Sequence, residues 1–275
     1  MIQSSLAPQK RRGNIGPADF TRRLRGSDIA SLSPLEMLYC CVVIVSAYAL
    51  RGSTGFGGAV AMPLLGLVVP LKILIPVWTL LGITSSATIA GRERNLIDWR
   101  AILRMAPACL IGIAIGLYLF KALSARVLAQ GLGILVIGYG AHALWSTTRP
   151  AGAWQIPPRL VAPVATLLGG AVGTTFGTMA SLFFAIYLDA LKLAKEHFRA
   201  TMSAMILVLS AMRGIGYYVV GEFSTDVWVA FAAAFPLMLL GVFIGDRFHA
   251  DMSETTFKRL VAAILIISGV ALLVK

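Results

Sequence analysis

The chain has 275 residues, 58% of them hydrophobic and only 13% charged, with a formal net charge of +12 and a mean hydropathy of +0.83. Soluble domains run nearer a quarter charged, so a water-soluble globular protein is excluded and a helical membrane protein fits. The excess Lys and Arg falls in a polar leading stretch and in short loops between apolar runs, the placement that sets topology, so no nucleic-acid partner is expected.

Residues 1–33 carry Lys10, Arg11, Arg12, Arg22, Arg23 and Arg25 among Pro8, Gly13, Gly16 and Pro17, without apolar periodicity. This predicts a basic, disordered tail. Arg22-Arg23 lacks the surroundings of a twin-arginine signal, and Met37 offers an alternative start.

From Pro34 the apolar runs divide at polar or glycine breaks into ten helical segments, 34–50, 54–69, 73–91, 101–120 and 126–146, then 160–176, 178–190, 197–220, 227–248 and 256–274. The expected organisation is a first transmembrane repeat over 34–148, a loop over 149–159 and a second repeat over 160–275. Gly55-Phe56-Gly57-Gly58, Pro63 and Leu71-Lys72 match Thr175-Phe176-Gly177-Thr178, Phe183 and Leu191-Lys192 at an offset of 120. At an offset of 129 the match continues with Trp99 and Trp228, Pro107 and Pro236, Gly112 and Gly241, Gly116 and Gly245, and Ser124 and Ser253.

In each half the first two segments are short for a membrane span and meet at a glycine-rich junction, which predicts broken helices or re-entrant hairpins. Irregular backbone at membrane depth is tolerated only inside protein or against a wet cavity, so both junctions belong at the centre. An odd number of segments per half inserts the second half from the opposite side. The expected fold class is therefore all-α and polytopic, with two inverted repeats of about five helical segments and broken or re-entrant helices at the centre. Short-loop charge favours both termini outside, because Arg92, Arg94, Arg100, Arg104, Arg149, Arg159, Lys192, Lys195, Arg199, Arg247, Lys258 and Arg259 gather on the opposite face, whereas the basic tail argues for the reverse.

Gly55, Gly57 and Gly58 remove side chains at a helix start, so backbone N–H groups can approach a ligand and the helix dipole favours an anion. Close helix packing through small residues is the competing explanation. Ser53, Thr54, Thr174, Thr175 and Gly177 complete the two junctions as candidate binding residues. Arg51 ends an otherwise uncharged run, and Arg213 lies on a helical pattern with a small, partly polar face that includes Ser203 and Ser210. A buried guanidinium needs a partner, which a small anionic substrate supplies. His197 is a candidate anion contact or proton carrier. The cysteines Cys40, Cys41 and Cys109 lack metal-ligand spacing, and the three histidines lie on separate segments, so neither a metal, a cofactor nor an intramembrane enzyme is expected.

The duplicated unit, Gly55-Phe56-Gly57-Gly58 with Pro63 downstream, and Asn95-Leu96-Ile97-Asp98-Trp99 resemble the sulfite exporter TauE/SafE family over residues 36–275. The resemblance implies movement of small sulfur-containing or organic anions across the cell inner membrane, with paired broken helices as the pathway and Arg51, His197 and Arg213 as leading contacts. Ala59 stands where the family extends its glycine run, Thr178 where glycine is common and Phe183 where proline is expected, so a differently shaped second junction is implied. With no carboxylate clearly mid-segment, export down the membrane potential is the expected energetics. An anion channel or a membrane scaffold without transport is the alternative. The expected partners are the lipid bilayer and a small anion, and the pattern is compatible with a homo-oligomer.

Overall fold

The computed structural model describes residues 32–54, 58–146, 158–247 and 254–275. The tail, apart from Leu32 and Ser33, most of the 149–159 loop, and Gly55, Phe56 and Gly57 of the first junction lie outside the described residues.

The described residues form ten α-helices: α1 (Pro34–Thr54), α2 (Gly58–Leu65), α3 (Leu71–Arg92), α4 (Trp99–Ala122), α5 (Ala125–Ser146), α6 (Pro158–Phe176), α7 (Ala180–Ala190), α8 (Lys195–Val219), α9 (Thr225–Arg247) and α10 (Glu254–Val274). Helix α1 starts with a reciprocal cap, Glu36 N–H donating to Ser33 Oγ at 3.3 Å and Ser33 N–H to Glu36 Oε2 at 2.8 Å. Asp98, in the motif before Trp99, caps α4 by accepting from Arg100 N–H at 3.0 Å and Ala101 N–H at 3.1 Å. The segment predicted over 54–69 is helical only to Leu65. Gly66 N–H and Val69 N–H close a turn onto Met62 O and Leu65 O, and Pro70 cannot donate to prolong it.

Six helices (α1, α3, α4, α5, α8 and α9) are long and apolar enough to cross a membrane. Large apolar side chains cover their outer faces, among them Leu38, Val42, Leu110, Ile134, Leu240 and Phe243, all about half exposed or more. Contiguous apolar surface on this scale belongs against lipid.

Both short-helix pairs are hairpins. A Cβ on Gly173 would lie 2.7 Å from Ala180 Cβ, and one on Gly169 would lie 2.7 Å from the Phe184 ring, so α7 runs back along α6. In the first pair Tyr39, near the start of α1, donates its hydroxyl to Leu64 O at the end of α2, at 3.1 Å.

The matched glycines mark where helices from opposite halves touch backbone to backbone. A Cβ on Gly112 or Gly116 of α4 would lie 2.2 Å from Leu167 O or 2.7 Å from Ala171 O of α6. On α9, a Cβ on Gly241 or Gly245 would lie 2.6 Å from Val45 O or 2.2 Å from Ala49 O of α1. Only glycine permits such approach, which gives a physical reason for the duplicated spacing. Equivalent helices meet antiparallel. Gly133 of α5 faces Gly269 and Leu272 of α10, whereas Gly140 faces Ala262 and Ile266. In the same sense the end of α3 and the turn after it meet the start of α8, through Glu93 with Arg199 and Asp98 N–H with Thr201 Oγ1 at 2.9 Å.

Two hydrophobic cores result. One joins buried side chains of α1, α2, α3, α5, α9 and α10 with Phe120 of α4, Met179 of the second tip and Tyr217 of α8, and the other joins α4, α6, α7 and α8 with Ala90 of α3.

Candidate functional site

Between the last turn of α1, the tip of the second hairpin and the α3–α8 crossing lies a cavity of about 50 Å³, with Arg51, Gly82, Gly177, Thr178, Ser210 and Arg213 in its wall. A water needs about 10–15 Å³ of such space, so there is room for a few waters or one small oxyanion.

The arginines come from different halves. Arg51, in the last turn of α1, is 8% exposed and donates from Nη2 to Ser86 Oγ of α3 at 2.6 Å. Arg213, on α8, is 4% exposed and donates from Nη1 to Gly173 O. Gly82 of α3 keeps the space between them open: a Cβ there would stand 3.1 Å from Ser210 Oγ and 3.9 Å from Arg213 Nη2. Among the described residues, Arg213 Nε and Ser210 Oγ are buried without a hydrogen-bond partner. Buried polar groups seldom stay unpaired, so these two atoms mark where a bound acceptor would fit.

Among the described residues, no carboxylate lines the cavity. All twelve acidic residues lie in the tail, in connecting segments or within the end turns of helices, and between Met37 and Arg92 there is none. Arginine does not lose its proton in proteins, so two positive charges face one small cavity with no counter-ion among the described residues of its wall.

The second tip is held by left-handed backbone. Gly177 has φ +72° and Met179 has φ +67°, and both residues line the cavity. A Cβ on Gly177 would also meet Met62 Cε at 2.9 Å and Ile75 Cγ1 at 3.2 Å. Gly177→Ala is therefore expected to cost about 1–2 kcal/mol from the left-handed conformation alone, and to weaken anion binding through displacement of the tip. A thermal midpoint and an anion affinity equal to those of the parent protein would contradict this.

The structure brings together Arg51, Gly177 and Arg213 from the predicted set. Thr174 and Thr175 pack away from the cavity: Thr175 Oγ1 donates to Gly116 O at 3.4 Å, and Thr174 O accepts from the Tyr217 hydroxyl. Gly55 and Gly57, and the side chains of Ser53 and Thr54, lie outside the described residues, as does the surface of Gly58. His197 is not in the cavity wall. It is exposed at the start of α8, with Nδ1 2.8 Å from Leu96 O. Sixteen residues of helix separate it from Arg213, about 24 Å at ~1.5 Å per residue, so the two cannot share one small anion. Ser86 and Gly82 were not legible as site residues, because one turn of α3 carries them inside a long apolar run. Ser210 was visible only as part of the small polar face one turn before Arg213.

A family profile described as "Sulfite exporter TauE/SafE" matches residues 40–272, nearly the whole described chain. The chain belongs to the sulfite exporter TauE/SafE family. It is a multi-pass membrane transporter of that family. A protein of Cupriavidus necator (strain ATCC 17699 / DSM 428 / KCTC 22496 / NCIMB 10442 / H16 / Stanier 337) described as "Probable sulfite/organosulfonate exporter TauE" is 29% identical over 229 residues, covering 80% of this chain and 87% of that one. A Comamonas testosteroni protein described as "Probable inner membrane transporter protein TsaS" is 25% identical over 195 residues, covering 70% of this chain and 80% of its own. No solved structure matches.

Proposed function

We propose that the protein exports a small sulfur oxyanion, with sulfite the leading candidate, across the cell inner membrane, and that the anion sits between Arg51 and Arg213 at the hairpin tips. The observation that carries this reading is the pair of buried guanidiniums around one small cavity with no carboxylate among the described residues that line it. Desolvated charge without a partner is costly, and an arriving anion removes that cost. The description of the Cupriavidus relative as a probable sulfite/organosulfonate exporter agrees with the substrate class, and that of the Comamonas relative as a probable inner membrane transporter agrees with the location.

The antiparallel meeting of α3 with α8 and of α5 with α10 supports two oppositely inserted halves, 34–148 and 160–275, around this site. Both termini lie outside in this reading, since the connections around Arg94, Arg100, Arg104, Lys192 and Arg199 make the opposite face the basic one. Outward movement of each negative charge through an inside-negative potential releases ~2.3 kcal/mol per 100 mV, so no coupling carboxylate is required.

In liposomes holding the purified protein, an imposed voltage alone is expected to drive sulfite flux, and a proton gradient at zero voltage is not. Flux that follows the proton gradient and ignores voltage would refute potential-driven export. A scaffold would show no flux in either arm, and a channel would show flux that never saturates with sulfite.

A further inference from the structure

The cavity carries more information than a preference for negative charge. Resting on the reading above, we propose that the site selects by charge number: it takes a doubly charged oxyanion and discriminates against singly charged anions of the same shape.

Arg51 and Arg213 both border the cavity and are both more than nine-tenths buried. Their only described protein acceptors are neutral, Ser86 Oγ for one and Gly173 O for the other. The site therefore holds two positive charges in a medium of low polarity. A dianion brings them to neutrality, whereas a monoanion leaves one charge buried and unpaired.

The unsatisfied atoms point the same way. Arg213 Nε is a donor only, and Ser210 Oγ, fully buried beside it, is free to donate. Guanidinium and hydroxyl donors suit oxygens that carry no proton. An anion still holding an acidic proton, or presenting a methyl group in place of one oxygen, forfeits one of these contacts. The cavity, about 50 Å³, has room for a single central atom with its oxygens.

One charge left uncompensated at about 5 Å, in an effective dielectric near 20, corresponds to roughly a hundredfold in affinity. The heavier hydration of a dianion takes part of this back, so a preference of about tenfold or more is the expected net effect.

Sulfate and methanesulfonate form the discriminating pair, because a methyl group replaces one oxygen at nearly constant size while the charge falls from two to one. Binding to the full-length purified protein is measured by ligand-induced thermal shift and calorimetry at matched ionic strength. Sulfate is expected to bind at least about tenfold tighter than methanesulfonate. Sulfite affinity is expected to rise as pH passes the second ionisation of sulfite, while sulfate affinity stays flat over the same range, which separates ligand titration from protein titration. In Arg213→Gln and in Arg51→Gln, each with one site charge left, the order is expected to reverse or level. General damage to the fold would weaken both ligands alike and would not change their order. Equal binding of both anions by the parent protein overturns the charge-number proposal and leaves the anion-transport reading standing. Binding of none of the three anions overturns both.

Discussion

Arg213→Gln is expected to reduce sulfite flux by roughly 30- to 5,000-fold while the empty protein stays folded and at least as heat-stable as the parent. Truncating one partner of a buried, hydrogen-bonded charge pair costs about 2–5 kcal/mol of binding, which sets that range. The stability half of the expectation has the opposite sign from most core substitutions. Arg213 is 4% exposed, shares its cavity with Arg51, and has an Nε without a described partner. Glutamine removes an uncompensated charge, so it relieves the burial penalty. Flux from proteoliposomes and a thermal midpoint from the same preparation test both halves together. A variant that transports like the parent would remove Arg213 from the site. One that loses flux only because it no longer folds would show that the guanidinium has a structural role.

The second large effect concerns the fold. Gly245→Val is expected to leave little or no monodisperse protein, because its Cβ would lie 2.2 Å from the Ala49 carbonyl oxygen and 2.9 Å from Ala49 Cα. The obstacle is backbone within a helix, so no rotamer change relieves it, and overpacking of ordinary side chains already costs about 1–3 kcal/mol. The same substitution at Gly138 on α5, where an added Cβ meets nothing within 4 Å, is expected to be silent. Size-exclusion profiles of the two variants in detergent provide the comparison. A well-folded Gly245→Val protein would mean that α1 and α9 do not touch in this way.

The duplicated landmarks were informative where repetition and packing share a cause. Gly112, Gly116, Gly241 and Gly245 recur because each lets a helix lie against the backbone of one from the other half, and a packing need of that kind leaves a fixed spacing in the chain. Helix positions were legible for the same kind of reason, since apolar runs of membrane length end at capping residues such as Asp98 and at Pro70. The site was only partly legible. Arg51 and Arg213 stood out because a charge inside an apolar run is rare, and Gly177 because it lies at a junction. His197 stood out as a titratable side chain on the same helical pattern as Arg213, yet a straight helix carries it to the far end, and depth along a helix has to be measured before two residues are assigned to one ligand. Ser86, Gly82 and Ser210 owe their place to how α3 crosses α8, a tertiary fact with no local signature.

Each hairpin is fastened to a helix from the other half of the sequence, α1 against α9 and α6 against α4, and Phe120 of α4 and Tyr217 of α8 reach into the core on the α1–α9 side. The packing units of this protein therefore do not coincide with the two halves of its sequence. Any relative movement of the two packing units carries both ends of the chain on each side. A severed polypeptide would have to reunite its fragments before either unit existed.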